Sequence, residues 1–186
     1  MINKKNWIII LLLTLLFISC QNKKKLEEEK KRKDHEKTVQ SKIFTDKPVE
    51  RVIEEFENNS RENKISIKKF EKLTFENKNY YHSQINIKKN SAYTVNYDGI
   101  EVTSLIVKVG TVTGTDLGTI EDLVANLIEV SDENINDEEA RKLYAEVLAG
   151  MKEGALSNEM TYKNGIKYGI TIDKNTGEII FIAQQI

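Results

Sequence analysis

Residues 159–184 read EMTYKNGIKYGITIDKNTGEIIFIAQ and carry the clearest structural signal of the chain. Three short runs rich in apolar residues are separated by Asn164-Gly165 and by the sequence DKNTG at residues 173–177. Asn, Asp and Gly tolerate the positive φ angles that tight turns require. The stretch therefore predicts a three-stranded antiparallel meander, with strands at residues 159–163, 166–172 and 178–184.

Two helices are predicted immediately before this meander. Thr119 can cap the first helix, in which apolar residues recur at helical spacing through residues 120–128. The second helix begins near Asp137, with Asn136 as its cap and Glu139 at the reciprocal capping position. A pair of helices therefore leads into the strands.

The preceding part of the chain predicts one helix followed by about four antiparallel strands. The helix has apolar residues at helical spacing, a cap at Asp46 and Pro48 in its first turn, and residues 58–60 end it. Strand-like alternation begins at residues 65–67, and Asp98-Gly99 is a strong signal for a two-residue hairpin turn. The predicted fold class is therefore α+β, with antiparallel strands and about three helices.

The first nineteen residues have the anatomy of a signal peptide. Lys4 and Lys5 form a short positive region, and twelve residues broken only by Thr14 form an apolar run that ends before Ser19. A helix that spans a bilayer needs about 20 apolar residues. The run is therefore short for a permanent membrane span, and an uncleaved N-terminal anchor is the weaker alternative.

The string Phe17-Ile18-Ser19-Cys20 resembles the lipobox of bacterial lipoproteins. The resemblance implies cleavage between Ser19 and Cys20 and a covalent lipid on the Cys20 sulfur, with no other cofactor. Two acyl chains give stable membrane anchoring, whereas one gives only marginal binding. Membrane lipid is then the first partner, at the extracytoplasmic face of the cell membrane. Ordinary secretion is a further alternative, but it would leave a lone cysteine without a disulfide partner.

The mature chain is expected to consist of a tether and one domain. Residues 1–19 form the predicted signal peptide, residues 20–43 a charged tether, and residues 44–186 a single α+β domain. Residues 22–37 are almost entirely charged, and Pro48 is the only proline. No stretch rich in Ser and Gly indicates a second domain.

A net charge of −1 conceals an asymmetry along the chain. Residues 22–91 hold nineteen Lys and Arg against thirteen Asp and Glu, whereas residues 98–186 hold seven against sixteen. Basic residues near a membrane surface are attracted to anionic lipid. The basic half is therefore a candidate for contact with anionic lipid or wall polymer, and unevenly distributed solvated charge is the alternative.

A tyrosine- and lysine-rich stretch is the candidate ligand surface. Such a sheet surface could bind an envelope protein or a wall polymer, and location outside the cytoplasm argues against nucleic acid. The alternative is that alternating tyrosines pack across strands, half-buried. The candidate residues are Tyr80, Tyr81, Tyr93, Tyr97, Lys88 and Lys89.

No motif indicates catalysis or a metal site. His35 lies in the tether and His82 in a predicted strand, and Cys20 is the only cysteine. Asp132, Asn134 and Asn136 are spaced like the first ligands of a calcium loop, but the twelfth position is not Glu. The glycine-spaced residues 110–118 lack the Gly-Lys-Ser/Thr of a phosphate loop. We therefore expect a protein that is not an enzyme.

The leading functional expectation is a noncatalytic surface lipoprotein that binds a ligand or assists an envelope complex. The helix beginning at Asn136, the following strands and residues 172–179 also resemble a PepSY domain. This resemblance implies a protease-modulating module without catalytic residues to assign. A substrate-capture lipoprotein of a transporter is a third class, but such receptors are usually larger, with two lobes.

Overall fold

The computed structural model describes residues 42–87, 90–110 and 117–186. The predicted signal peptide, Ser19, Cys20, most of the predicted tether, and Lys88 and Lys89 lie outside the described residues. Residues Ser41–Ile186 form one compact unit. Within the described ranges, no helix is both long and apolar enough to cross a membrane.

The unit contains three α-helices and seven strands in the described residues, and a short 3-10 turn at Phe44–Asp46 precedes them. All the strands pair antiparallel in one sheet, in the order β1-β2-β3-β4-β7-β6-β5. The predicted α+β class and the C-terminal meander are confirmed. The elements are α1 (Val49–Glu62), β1 (Glu71–Phe75), β2 (Lys78–Gln84), β3 (Ala92–Asp98), β4 (Glu101–Val109), α2 (Leu117–Ser131), α3 (Asp137–Ala149), β5 (Ser157–Thr161), β6 (Ile166–Ile172) and β7 (Ile179–Gln185).

The three helices pack on one face of the sheet, which we call the covered face. The ring of Phe56 in α1 lies 4.8 Å from the ring of Tyr93, whose hydroxyl donates to the carbonyl oxygen of Leu123 in α2 at 2.9 Å. Tyr144 in α3 meets Phe181 edge to face at 5.9 Å. Because successive side chains of a strand point to opposite faces, the alternate residues form the other face, which we call the open face.

The first helix differs from the sequence prediction at both ends. Pro48 occupies the cap position, Asp46 lies in the preceding 3-10 turn, and α1 continues through residues 58–60 to Glu62. Ser60 is buried there and accepts a hydrogen bond from the Asn126 side chain at 3.2 Å. Packing against α2 therefore extends the helix past residues that would otherwise favour a turn. The second helix likewise begins at Leu117, so that Thr119 lies inside it.

The first two hairpins also differ from the prediction. Residues 65–67 form only an isolated bridge between Ile67 and Ile85, and β1 begins at Glu71. The β1–β2 turn uses Glu76 and Asn77, both at positive φ. Between β3 and β4 the turn centres on Gly99 and Ile100, one residue later than predicted, with Gly99 at φ 60°.

The cap of α3 is confirmed in one direction only. The side-chain oxygen of Asn136 accepts from the backbone N–H of Glu139 at 3.0 Å. The Glu139 carboxylate turns instead to the β5–β6 connection, where it accepts from the Tyr162 hydroxyl and from Lys163 Nζ. This carboxylate therefore ties α3 to the meander.

Residues 48 and 49 lie at the end of the sheet that holds the β3–β4 turn, here called the proximal end. The N–H of Val49 donates to the carbonyl oxygen of Ile100 at 3.1 Å, and Pro48 bridges to Glu101. Lys47 is fully buried, and its Nζ lies 2.7 Å from a carboxylate oxygen of Glu55. The opposite end of the sheet is the distal end.

Candidate functional site

The open face extends across the whole sheet and carries charged, polar and apolar side chains. One row of directly paired residues shows its composition from edge to edge. Charged and polar side chains occupy the flanks, and partly exposed Ile106 and Ile182 lie at the centre, with Ile180 in the next row. The row consists of Glu71, His82, Thr94, Ile106, Ile182, Gly169 and Glu159.

At the distal end this face contains a groove of about 560 Å³, which we call the basic groove. Ala92 pairs with Gln84 on one side and with Lys108 on the other, so a small side chain lies between two long ones. This difference in side-chain length hollows the surface. The lining residues are Lys68, Lys69, Glu71, His82, Gln84, Asn90, Ser91, Ala92 and Lys108.

One side of the basic groove, which we call its wall, is formed by Lys68 and Lys69. These residues belong to the connection between α1 and β1, which hydrogen bonds hold against β2. The N–H of Lys68 donates to the carbonyl oxygen of Gln84 at 2.8 Å, and the hydroxyl of buried Ser83 donates to the carbonyl oxygen of Lys68. The N–H of Asn86 donates to the carbonyl oxygen of Ser66 at 2.8 Å. The wall is therefore fixed although it is not a strand.

The lysines of the groove differ in their partners. Lys108 Nζ lies 2.9 Å from a carboxylate oxygen of Glu178. Among the described residues, no carboxylate comes within ion-pair distance of Lys68 or Lys69. Glu71 is the acidic residue among those that line this groove. Within the described ranges, these two exposed lysines therefore have no ion-pair partner.

A second groove of about 390 Å³ lies on the other side of Lys68 and Lys69, which line both grooves. It lies beside the C-terminal part of α1, where Glu57, Ser60 and Arg61 contribute to its lining. The connection between α1 and β1 therefore forms a ridge with a groove on each side, and its two lysines face both.

The four candidate tyrosines do not share a surface, so the predicted tyrosine surface is wrong in part. Tyr93 is 0% exposed and Tyr97 is 9% exposed, both on the covered face. Tyr81 also lies on that face and stacks on Tyr97, with 5.4 Å between ring centroids. Only Tyr80 lies on the open face, where it pairs with Leu73 and is half-buried. The alternative of cross-strand packing describes Tyr81 and Tyr97 correctly.

The burial of Tyr93 has a physical cause that the strand pattern does not contain. Its hydroxyl lies between α2 and the sheet, where it donates to Leu123 and accepts from the Asn126 side chain at 3.2 Å. Burial raises the pKa of this phenol far above its ordinary value. Tyr93 is therefore a structural residue that fastens a helix to the sheet.

The other candidate polar groups have local structural partners. Asp132 Oδ1 accepts from the backbone N–H and the side-chain amide of Asn134, and Asp132 Oδ2 accepts from the side-chain amide of Asn164 at 3.1 Å. His82 Nδ1 lies 3.4 Å from Thr94 Oγ1. Across the described ranges, no three His, Cys, Asp or Glu side chains are grouped so as to hold a metal ion.

A further cavity of about 350 Å³ lies between α3 and the β5–β6 connection. Hydrogen bonds from Lys163 and Tyr162 lower the pKa of the Glu139 carboxyl, and the bond to Glu139 raises the pKa of Lys163. Glu139 and Lys163 therefore satisfy each other at this cavity. The basic groove is the stronger candidate site because Lys68 and Lys69 have no carboxylate partner among the described residues.

The residues of the basic groove carry little signal in the sequence. The pair Lys68-Lys69, between apolar Ile67 and Phe70, is the local signal. Lys108 follows about forty positions later in an apolar strand, and only the sheet register brings it beside Ala92.

Comparisons of the chain with protein-family models, with curated proteins and with solved structures give no significant match.

Proposed function

We propose that the protein is a lipid-anchored, noncatalytic binding module at the extracytoplasmic face of the cell membrane. The observation that carries the binding role is that, in the part of the chain that the structure describes, all the helices pack on the covered face, so that none of them lies over the open face and its basic groove. The lipobox-like string that ends at Cys20 supports the anchor. Anchor and binding face together describe an accessory or ligand-binding lipoprotein of the envelope.

The anchor is tested by growing cells that express the full chain with a clickable palmitate analogue. We expect label on the wild-type protein in the membrane fraction, and Cys20→Ala should lose both the label and the membrane retention. Ser19→Ala is the matched control, because a small residue remains at the cleavage position. Equal labelling and retention of wild type and Cys20→Ala would overturn the lipid anchor.

The binding face is tested by placing a photo-crosslinking amino acid at exposed Glu71 on the open face, in the full chain in living cells. The same amino acid at exposed Glu138 of α3 is the control, since that position lies on the helix side. We expect a discrete crosslinked product from position 71 and not from position 138. Discrete products from position 138 alone would place the ligand on the helices and contradict the proposal.

A protease-modulating module is the second candidate function. It is favoured by the arrangement of α3, the meander β5–β7 and the turn at residues 173–177, where Asp173 Oδ1 accepts from the N–H of Asn175 at 2.7 Å. This is the part of the chain that resembles a PepSY domain. Titration of the full chain against a secreted thermolysin-like protease tests it: inhibition supports this candidate, and unchanged protease activity counts against it.

A further inference from the structure

We propose that the basic groove and the second groove beside α1 together bind a linear polyanion whose negative charges are phosphodiester groups, such as a wall polymer. This inference rests on the proposed function for its location outside the cytoplasm, and it names the class of ligand for the open face. The binding chemistry itself depends only on residues of the domain.

The charges of the two grooves favour an anion. Four cationic side chains line them against two carboxylates, and one of the four, Lys108, is already paired with Glu178. The residues are Lys68, Lys69, Lys108 and Arg61 against Glu57 and Glu71. Adjacent ammonium groups repel each other, and a phosphate between them replaces that repulsion with attraction. Gln84 and Asn90 add neutral amide donors at the same lining. Phosphate oxygens accept hydrogen bonds from all of these groups.

The shape favours a chain over a single small anion. The two grooves share Lys68 and Lys69, so that a chain lying across the ridge contacts both lysines and reaches both grooves. A single phosphate would contact one part of this surface and none of the cations of the other part. A repeating anion places successive charges along the path.

The backbone of the groove wall is ordered before a ligand binds. Hydrogen bonds hold the Lys68 backbone to Gln84 and to the buried Ser83 hydroxyl. A fixed site loses less conformational entropy when its ligand binds than a loop that must first be ordered. Rigid backbone with long, exposed lysine side chains suits a polymer whose charges vary in exact position.

The lining argues against nucleic acid as the source of the phosphodiester chain. Proteins that bind single strands stack bases on aromatic side chains. Among the described residues that line the two grooves, none is Phe, Tyr or Trp. The groove therefore has groups for the phosphate chain and lacks the aromatic platform that bases require.

The test uses the full chain purified in detergent and fluorescent poly(glycerol phosphate) as the probe. We expect saturable binding that weakens with added salt, because exposed charges are screened. The double variant Lys68→Glu/Lys69→Glu should weaken binding by about tenfold or more, and Lys68→Gln/Lys69→Gln by a smaller factor. The matched control Lys142→Glu/Lys152→Glu makes the same change of net charge on and after α3 and should bind like wild type.

Three further probes separate the sources of phosphate: inorganic phosphate, phosphatidylglycerol vesicles and an oligo-dT strand. We expect each to bind more weakly than the polymer. Absence of polymer binding, equal loss in the two double Glu variants, or stronger binding to vesicles or to oligo-dT would overturn the inference. A thermal unfolding scan of each variant excludes misfolding as the cause of a loss.

The failure of this inference is distinguishable from the failure of the proposed function. Cys20→Ala should bind the polymer like wild type, because the groove lies within the domain. If the anchor test fails and polymer binding remains, the anion site is supported and the membrane location is contradicted. If the anchor and the crosslinking tests succeed and polymer binding is absent, the ligand class is wrong.

Discussion

The two faces of the sheet are built from alternate residues of the same strands, yet they have different roles. On the covered face Tyr93 and Phe181 are fully buried beneath the helices. On the open face His82 pairs with Thr94, and Lys108 pairs with Ile180, which is 36% exposed. Two neighbouring residues of one strand can therefore have different roles: one stabilises the fold, and the other is available to a ligand. In this protein the position of the helices, more than residue type, decides which role a side chain has.

The largest expected difference between the faces is in the free energy of unfolding of two phenylalanine variants. Phe56 is 0% exposed and packs on Phe70 and Tyr93 at the covered face. Phe56→Ala should lower the free energy of unfolding by about 3–5 kcal/mol, since it removes apolar contacts and leaves a cavity. Urea denaturation followed by circular dichroism measures the change.

Phe75→Ala is the matched control for this comparison. Phe75 lies on the open-face side of β1 and is 66% exposed. Its replacement should change the free energy of unfolding by no more than about 0.5 kcal/mol. Equal decreases in the free energy of unfolding for Phe56→Ala and Phe75→Ala would contradict the distinction between the two faces.

The covered face should also make the fold sensitive to alkaline pH. Burial raises the pKa of Tyr168 to about 12, from an ordinary value of 10.0, and raises the pKa of Tyr93 further. The unfolded phenol loses its proton first. Stability is therefore fully present below pH 10 and is lost as the pH rises toward 12, by about 2–3 kcal/mol for Tyr168.

Urea denaturation at several pH values between 9 and about 11.5 measures this slope. Tyr168→Phe should be less stable at neutral pH, because it loses the hydroxyl contact with Ser131 at 2.7 Å, but its stability should fall less steeply with pH. An unchanged slope in Tyr168→Phe would show that this phenol does not carry the effect.

A smaller difference is expected between two adjacent tyrosines. Tyr81→Ala removes a ring that stacks on Tyr97 at the covered face and should cost about 1–3 kcal/mol. Tyr80→Ala removes an open-face ring opposite Leu73 and should cost less than about 1 kcal/mol. Thermal unfolding of the two variants measures the ranking, and the reverse order would contradict the assignment of faces.

The smallest expected effect is at Gly169, in the central row of the open face. A Cβ there would lie 3.3 Å from the Cγ2 atom of Ile182, whose side chain is partly exposed and can move. Gly169→Ala should therefore stabilise the fold by no more than about 0.5 kcal/mol, through lower entropy of the unfolded chain. The control Gly165→Ala should destabilise it, since Gly165 has φ 80°. Destabilisation by Gly169→Ala beyond about 1 kcal/mol would show that the open face is rigid there.

Local signals predicted the C-terminal half of the fold well. The turns at Asn164-Gly165 and residues 173–177 contain residues suited to positive φ, and Asn136 caps its helix through its own side chain. These interactions join residues that are close in sequence. The β1–β2 turn was missed because Glu76, at φ 49°, is not a residue that usually marks a turn.

Distant contacts account for what the sequence did not reveal. Tyr93 is buried because α2 crosses it, and α1 continues past residues 58–60 because Ser60 meets Asn126. The basic groove likewise joins Lys68 to Lys108 through the pairing of three strands. Alternation along one strand predicts that its two faces differ, but it does not say which face the helices will cover.

The last strand in chain order lies in the middle of the sheet, and this determines when the sheet can be completed. Strand β4 can pair with β3 early, but its other edge has no partner until Ile179–Gln185 has been made. Phe181 and Ala183 then supply core side chains that nothing earlier in the chain replaces. Synthesis must therefore pass through nearly the whole domain before the two halves of the sheet can join.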